Sequence, residues 1–321
     1  MRSTVRHLLA LALCGTCAAA LAQSFPDRPV KIVVPFAAGG GVDTMARIIA
    51  THLAPRLKQP VVVDNKPGAN ANLGADFVAK APADGYTLLM TSSVSAVNRA
   101  ISKNLPYDAL TDFAQVARIA KAPLVMVTGA PLGIHSVKEM AAYGQAHPGA
   151  VSYASTGIGS GQQISGAIFS KYAGIPAVHV PYKGGAPALT DLIAGRVTFM
   201  VGVPSEVLPH IASGKLNAIA VTGATRAESL PDVPTFTQAG VNNPGTTGWW
   251  GLVAPAKTPP AVLRRLEAET LALMQDPEVL GALRAAGFEP GAMDGKDFGA
   301  FYRGEIRRYA DLIREFNIET E

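Results

Sequence analysis

Apolar and polar positions along the chain fall into repeating blocks, short apolar runs followed by segments with helical spacing. The first run, Lys31 to Val34, passes through Pro35 into three glycines, Gly39 to Gly41. Beyond them Val42, Met45, Ala46, Ile49, Leu53 and Leu57 recur at helical spacing. Val61–Val63 then reads as a buried strand ending in the turn cluster Asp64–Gly68. Leu73, Phe77 and Val78 give a short helix, and Tyr86–Met90 a further strand running into Thr91-Ser92-Ser93. This alternation predicts an α/β architecture built on parallel sheet.

From Val116 to Thr128 the chain is mostly apolar but carries Pro123, which predicts two strands with a break, a crossover between domains. A second α/β series follows. It has a strand over 151–153, a Gly- and hydroxyl-rich loop over 155–161, and a helix marked by Ile164, Ile168 and Tyr172. A strand over 177–180, a helix over 187–194, a strand over 197–201, a helix over 205–212 and a strand over 216–221 complete it. Gly195 and Gly214 fall where helices end. The chain returns through 249–255, with Trp249 and Trp250 expected at the domain junction. Thr258-Pro259 and Asp276-Pro277 read as two capped helix starts, Gly287 closes the second helix, and Phe298, Tyr302, Tyr309, Ile313 and Phe316 line a last amphipathic helix.

Each α/β series contains one glycine-rich strand-to-helix loop, residues 35–44 and 154–163. Such a loop leaves the first amides of a helix without intrahelical partners at the positive end of its dipole, a setting that attracts anions. In open α/β sheets ligands bind beyond the carboxyl ends of the strands, where both loops belong. Two loops on two domains predict a cleft that closes on one small organic anion. Asp43 is read first as the N-cap of the helix after the first loop and second as a ligand contact.

Of the 321 residues, the first 22 read as a secretory signal. Arg2 and Arg6 precede an apolar run from Leu8 to Ala20, and Ala20-Leu21-Ala22 places cleavage before Gln23, for export to the periplasm. Both cysteines, Cys14 and Cys17, lie within it, so the remaining chain has no thiol for a disulfide, metal site or nucleophile. Without Arg2 and Arg6 the charge is 26 Lys and Arg against 24 Asp and Glu, scattered without a basic block, which argues against nucleic acid as a partner. A chain of this length predicts two domains. No Gly-Lys-Ser or Gly-Lys-Thr follows either loop, and there is no Gly-x-Ser-x-Gly or His-Glu-x-x-His, so nucleotide binding, zinc chemistry and the common hydrolase motifs are unsupported; neither cofactor nor metal is expected. His179, on a predicted strand, is the one histidine placed to serve Ser155 or Ser160 as a base.

The ordered motifs of the chain resemble the Bug-type (Bordetella uptake gene) periplasmic substrate-binding proteins of tripartite tricarboxylate transporters. They are Arg28–Lys31 leading into Pro35–Asp43, Val61–Gly68, Asp84–Leu89, Leu105–Asp108, Tyr153–Ser160, Val180–Gly184, Leu230–Thr235 and Ala254–Pro259. The resemblance implies a two-domain periplasmic binding protein of flytrap type with two parallel-rich sheets. Domain 1 would comprise 23–123 and 249–321, and domain 2 124–248. It further implies a monomeric, non-catalytic receptor that delivers a carboxylate to membrane permease subunits, with a sensor kinase as the alternative partner. Carried over by motif, the ligand contacts are Phe36, Ala37, Ala38, Gly40, Gly41 and Asp43 on one side and Ser155, Thr156, Gly159 and Ser160 on the other. Ala38 stands where the family usually has proline, and Gln162-Gln163 where it often has histidine. Those glutamines, with Ser92, Ser93 and the loop Gly202-Val203-Pro204-Ser205, are expected to face the variable end of the ligand.

Overall fold

A computed structural model describes residues 25–102, 104–242 and 246–318. The signal segment 1–22, its cleavage point before Gln23, and Cys14 and Cys17 lie outside the described residues. Six strands form the first sheet: β1 (Val30–Val34), β2 (Val61–Asn65), β3 (Thr87–Ser92), β4 (Phe113–Pro123), β10 (Thr247–Pro255) and β11 (Glu289–Asp294). Their spatial order is β11-β4-β10-β3-β1-β2. The second sheet has the order β7-β6-β8-β5-β9, from β5 (Val125–Gly129), β6 (Ser152–Ser155), β7 (Val178–Pro181), β8 (Phe199–Gly202) and β9 (Leu216–Val221).

Both sheets are mixed. The pairs that the βα alternation predicts, β1 with β2 and β3, and β6 with β7 and β8, are parallel. The strands that carry the chain between sheets pair antiparallel: β10 with β3 and β4, β11 with β4, and β5 with β8 and β9. β4 ends at Pro123 in the first sheet and β5 starts at Val125 in the second, so the break expected at Pro123 is where the chain crosses.

The helix after the first glycine loop, α1 (Gly41–Leu57), buries Met45, Ile49 and Leu53 against Val30, Ile32, Val34 and Leu88. Each such side chain contributes about 1.5–3 kcal/mol by leaving water. Ile32 is in register with Val63 and Leu88, which fixes the level at which the strands end beneath the loop. On the opposite face Val33 and Leu89 belong to a second apolar cluster that also holds Phe298, Tyr302 and Tyr309 of the final helix α10 (Gly295–Phe316).

Several elements depart from the sequence pattern. Two helices, α3 (Ser93–Ile101) and α4 (Val137–Ala146), lie outside the elements expected above; α3 carries the apolar stripe Ala96, Val97, Ala100 and Ile101, and α4 is set by its cap, with Ser136 Oγ accepting the Glu139 amide at 3.1 Å. β11 contains Pro290 and Gly291 and pairs through a register shift, a pattern that does not read as strand. Thr258 is not a cap: Pro259 takes the N-cap position of α8 (Pro260–Leu273), and Thr258 Oγ1 donates to the Pro255 carbonyl at 2.7 Å. Asp276 does cap α9 (Pro277–Ala285), accepting the Glu278 amide at 2.9 Å. The tryptophans split between faces of β10. Trp249 shares a cluster with Ile164 and Ile168 of α5 (Gly161–Tyr172), a helix of the second α/β series, whereas Trp250 packs on Phe288 within the core around α1. Trp249 itself packs on Phe298, Phe301 and Tyr302 of α10, so both rings are seated in the first unit.

Candidate functional site

Backbone geometry and one buried carboxylate shape the first glycine loop. Gly39 has φ +88°, a conformation that a side chain would strain. The N-cap of α1 is Gly40, with no side-chain cap, and this corrects the reading of Asp43. Asp43 lies within the first turn and reaches backward, its Oδ2 accepting the Gly39 amide at 2.9 Å and Arg47 Nε at 2.8 Å. Asn65, at the end of β2, donates both to Asp43 Oδ1 and to the Phe36 carbonyl at 3.0 Å. Burial pushes the Asp43 carboxyl up, but hydrogen bonds from Arg47, Gly39 and Asn65, with the charge of Arg47, outweigh it and hold the group below its usual range. Asp43 is thus an ionised brace for the loop. Among the described residues the N–H groups of Ala37, Ala38 and Gly40 have no acceptor, and Ala37, Ala38 and Gly39 are exposed. Phe36 packs its ring on the α1 core.

The second loop is held the same way from the other sheet. Ser160 caps α5, its Oγ accepting the Gln163 amide at 3.2 Å. Gln163 Oε1 accepts the Gly159 amide at 2.6 Å, and Thr156 Oγ1 donates to Gln162 Oε1 at 2.8 Å. These contacts turn both glutamine carbonyls onto their own loop. Ser155, fully buried, accepts the Gly157 amide at 3.1 Å and lies 2.6 Å from His179 Nε2, whose ring stacks on Tyr153.

The second loop meets the first α/β unit at Asn70 and Ile101. Asn70 Nδ2 donates to the Ile158 carbonyl at 2.8 Å, and a Cβ on Gly159 (φ +77°) would stand 2.5 Å from Ile101 Cδ1. Asn70 is presented by an unusual turn in which Ala69, Asn70 and Ala71 all have positive φ, 46°, 49° and 74°. Non-glycine residues held there are strained, and such strain gathers at binding sites and switch regions. Asn98, 2% exposed, secures the turn by donating to the Asn70 carbonyl at 2.6 Å and to Asn72 Oδ1 at 2.9 Å. Replacing Asn70 with Ala removes one net hydrogen bond across the domains, about 1 kcal/mol. A several-fold loss of ligand affinity is expected, with a larger radius of gyration in small-angle scattering; unchanged scattering and affinity would deny the contact a role in closure.

Other expected contacts are placed unevenly. Gly202 ends β8, where a Cβ would come 2.6 Å from Val207, so glycine there lets α7 (Pro204–Ala212) lie close. Val203 is the N-cap of α7, and its Cγ1 stands 3.1 Å from where a Cβ on Gly41 would be, which makes it a contact between the two loops' domains. Ser92 and Ser93 lie at the carboxyl end of β3 and the start of α3, both buried. Sequence reasoning missed Asn70, Glu206 and the third loop, Gly184-Gly185 at the start of α6 (Gly185–Ile193). The glycine pair between strand and helix was a usable signal for the loop; nothing in the sequence marked the other two.

Two α/β units that meet through the helix-initiating loops at the carboxyl ends of their strands define a periplasmic-binding-protein fold. The comparisons agree. The model of the tripartite tricarboxylate transporter family receptor matches residues 45–318. BugT of Bordetella pertussis is 35% identical over 307 residues, covering 95% of this chain and 94% of BugT. A solved R. palustris protein with adipate is 34% identical, with a TM-score of 0.88 over 92% of this chain and 99% of that one. MatC from Rhodopseudomonas palustris with bound malate is 30% identical, with a TM-score of 0.81 over 90% and 100%. The chain belongs to the tripartite tricarboxylate transporter receptor family. The family and its structural neighbours are binding proteins. Among the described residues no helix is long and apolar enough to cross a membrane.

Proposed function

We propose that the protein is an exported receptor that encloses a small carboxylate between its two glycine loops and delivers it to the permease of a tripartite tricarboxylate transporter. The observation that carries this is the first loop: amides of Ala37, Ala38 and Gly40 without an acceptor among the described residues at the start of α1, fixed by Asp43 and Asn65. A hydrogen bond from an amide to a charged oxygen contributes about 1.5–3 kcal/mol, and a partly buried helix start up to about 2 kcal/mol. A few such terms reach micromolar affinity, about 8 kcal/mol, once association costs are met. The ligands of the adipate- and malate-bound relatives support dicarboxylates as the first class to try. Cleavage before Gln23, a monomeric state and domain limits of 23–123 with 249–321 against 124–248 belong to the same reading. The amides grip the carboxylate that all such ligands share, and the rest of the cleft selects among them.

The test is mass spectrometry of small molecules released from purified, denatured protein, followed by a thermal-shift screen of adipate, malate, citrate and benzoate. At least one carboxylate is expected to raise the melting temperature by several degrees; stabilisation by sugars or cations alone would end the proposal. One observation favours a second reading as a serine hydrolase, the 2.6 Å approach of Ser155 Oγ to His179 Nε2. Against it, Ser155 is fully buried and engaged with Gly157. A fluorophosphonate probe is therefore expected to leave Ser155 unlabelled, and stoichiometric labelling there would revive the enzyme.

A further inference from the structure

Where the two domains meet, two successive side chains of α7 each leave one buried polar atom without a partner. Ser205 Oγ and Glu206 Oε2 are both buried, and neither has a hydrogen bond among the described residues. Glu206 is wedged between loops of both sheets. Its Oε1 accepts the Gly41 amide in a long hydrogen bond of 3.4 Å. A Cβ on Gly40 would stand 3.5 Å from Oε1, and one on Gly185 only 2.7 Å from Oε2, so the carboxyl fits there because Gly185 has no side chain. Ser205 Oγ stands 3.0 Å from where a Cβ on Gly41 would be.

An unpartnered buried polar atom is destabilising, and two on successive residues against the start of α1 point to a ligand. The protonation state follows from the surroundings. The loop before α1 brings Gly40 and Gly41 to the carboxyl, the start of α6 brings Gly185, and α7 brings Ser205; none is charged. Asp43, the acid nearest in sequence on α1, is turned onto Gly39, Arg47 and Asn65. Burial pushes the Glu206 carboxyl above its usual range, the Gly41 amide opposes this, and no charged side chain contributes. Because Oε1 accepts an N–H, the proton of the neutral form belongs on Oε2. That oxygen is then a donor with no acceptor in the chain.

We propose that Glu206, in its protonated form, is a specificity-determining residue of the binding site, donating from Oε2 together with Ser205 Oγ to a carboxylate oxygen of the ligand. This rests on the carboxylate reading and extends it: a proton is taken up with the ligand. An ionised Glu206 would set two like charges against each other, whereas the neutral acid replaces that repulsion with a hydrogen bond. The ligand-bound state holds the Glu206 proton more tightly than the free state, so affinity is highest at acid pH and is lost as pH rises above the carboxyl's value in the free protein.

Calorimetric titration of wild-type protein with adipate and malate, over about pH 6.5–8.5 and in buffers of different ionisation enthalpy, tests this. Affinity is expected to fall by up to about tenfold per pH unit once the free carboxyl is ionised, with net uptake of up to one proton. Glu206→Gln keeps a donor and removes the titration, so its affinity should be nearly independent of pH and should exceed wild type at the alkaline end. Wild-type affinity that is flat or rises with pH, with Glu206→Gln weaker throughout, would overturn the inference, because Glu206 would then be an ionised acceptor for a ligand donor. Failure of every carboxylate to bind wild-type protein at any pH would instead overturn the carboxylate reading, and the inference with it.

Discussion

Replacing Gly41 with Val is expected to weaken carboxylate binding by about 10- to 100-fold while the protein folds normally. Gly41 opens α1 with helical backbone geometry, so a side chain there meets no conformational strain. The obstacle lies across the cleft. A Cβ would stand 3.0 Å from Ser205 Oγ and 3.1 Å from Val203 Cγ1, and the two methyl groups of valine add volume where the start of α7 must lie. Overpacking of this kind costs about 1–3 kcal/mol, and here the cost falls on the approach of the two domains rather than on the core of either. Gly40→Val is the milder variant, since its Cβ meets Glu206 Oε1 at an ordinary 3.5 Å. Calorimetry and a melting curve separate the effects: affinity is lost while the melting temperature moves little. Full affinity in Gly41→Val would mean that α1 and α7 do not approach in the bound state.

The largest loss of stability is expected from Trp249→Ala. Trp249 is 1% exposed and packs edge-on against Phe298, Phe301 and Tyr302 of α10, with ring centroids 5.5–5.6 Å away. Its Nε1 donates to Glu305 Oε2 at 3.2 Å, a carboxyl whose value burial pushes up against the pull of Arg308, Trp249 and Arg118. Alanine would leave a large cavity and strip Glu305 of a donor. Truncation of a buried Trp costs about 3–5 kcal/mol, or about 10 °C in melting temperature for a chain of this size. Calorimetric or circular-dichroism melting measures it, and a loss below about 1 kcal/mol would mean that α10 and α5 can close over the gap.

The architecture was legible because βα alternation and proline placement are local signals. Val30–Val34, Leu216–Val221 and the break at Pro123 carry their structure in their own side chains. β11 was not legible, because a neighbouring strand holds it. Ser93–Ile101 carries a helical stripe of its own in Ala96, Val97, Ala100 and Ile101, whereas Glu289–Asp294 is a strand because β4 lies alongside.

The site divides in the same way. Glycine loops can be read from sequence because glycine is permissive in itself, and the capping of α5 by Ser160 is equally local. The jobs of Asp43, Gln162 and Gln163 depend on which way a side chain folds back: Asp43 serves Gly39 instead of capping α1, and the glutamine carbonyls serve Thr156 and Gly159. Asn70 and Glu206 are long-range. Asn70 lies 88 positions from Ile158 and Glu206 165 from Gly41, and no spacing rule connects such pairs.

The central claim is that main-chain amides of the first glycine loop grip a carboxylate. Amide resonances of isotope-labelled protein, followed by nuclear magnetic resonance during titration with adipate and with malate, address it directly. Saturable shifts are expected, concentrated at Ala37, Ala38 and Gly40, with smaller ones at Gly157 and Gly159. Saturable binding of either acid that leaves the Ala37–Gly40 amides unmoved would contradict it.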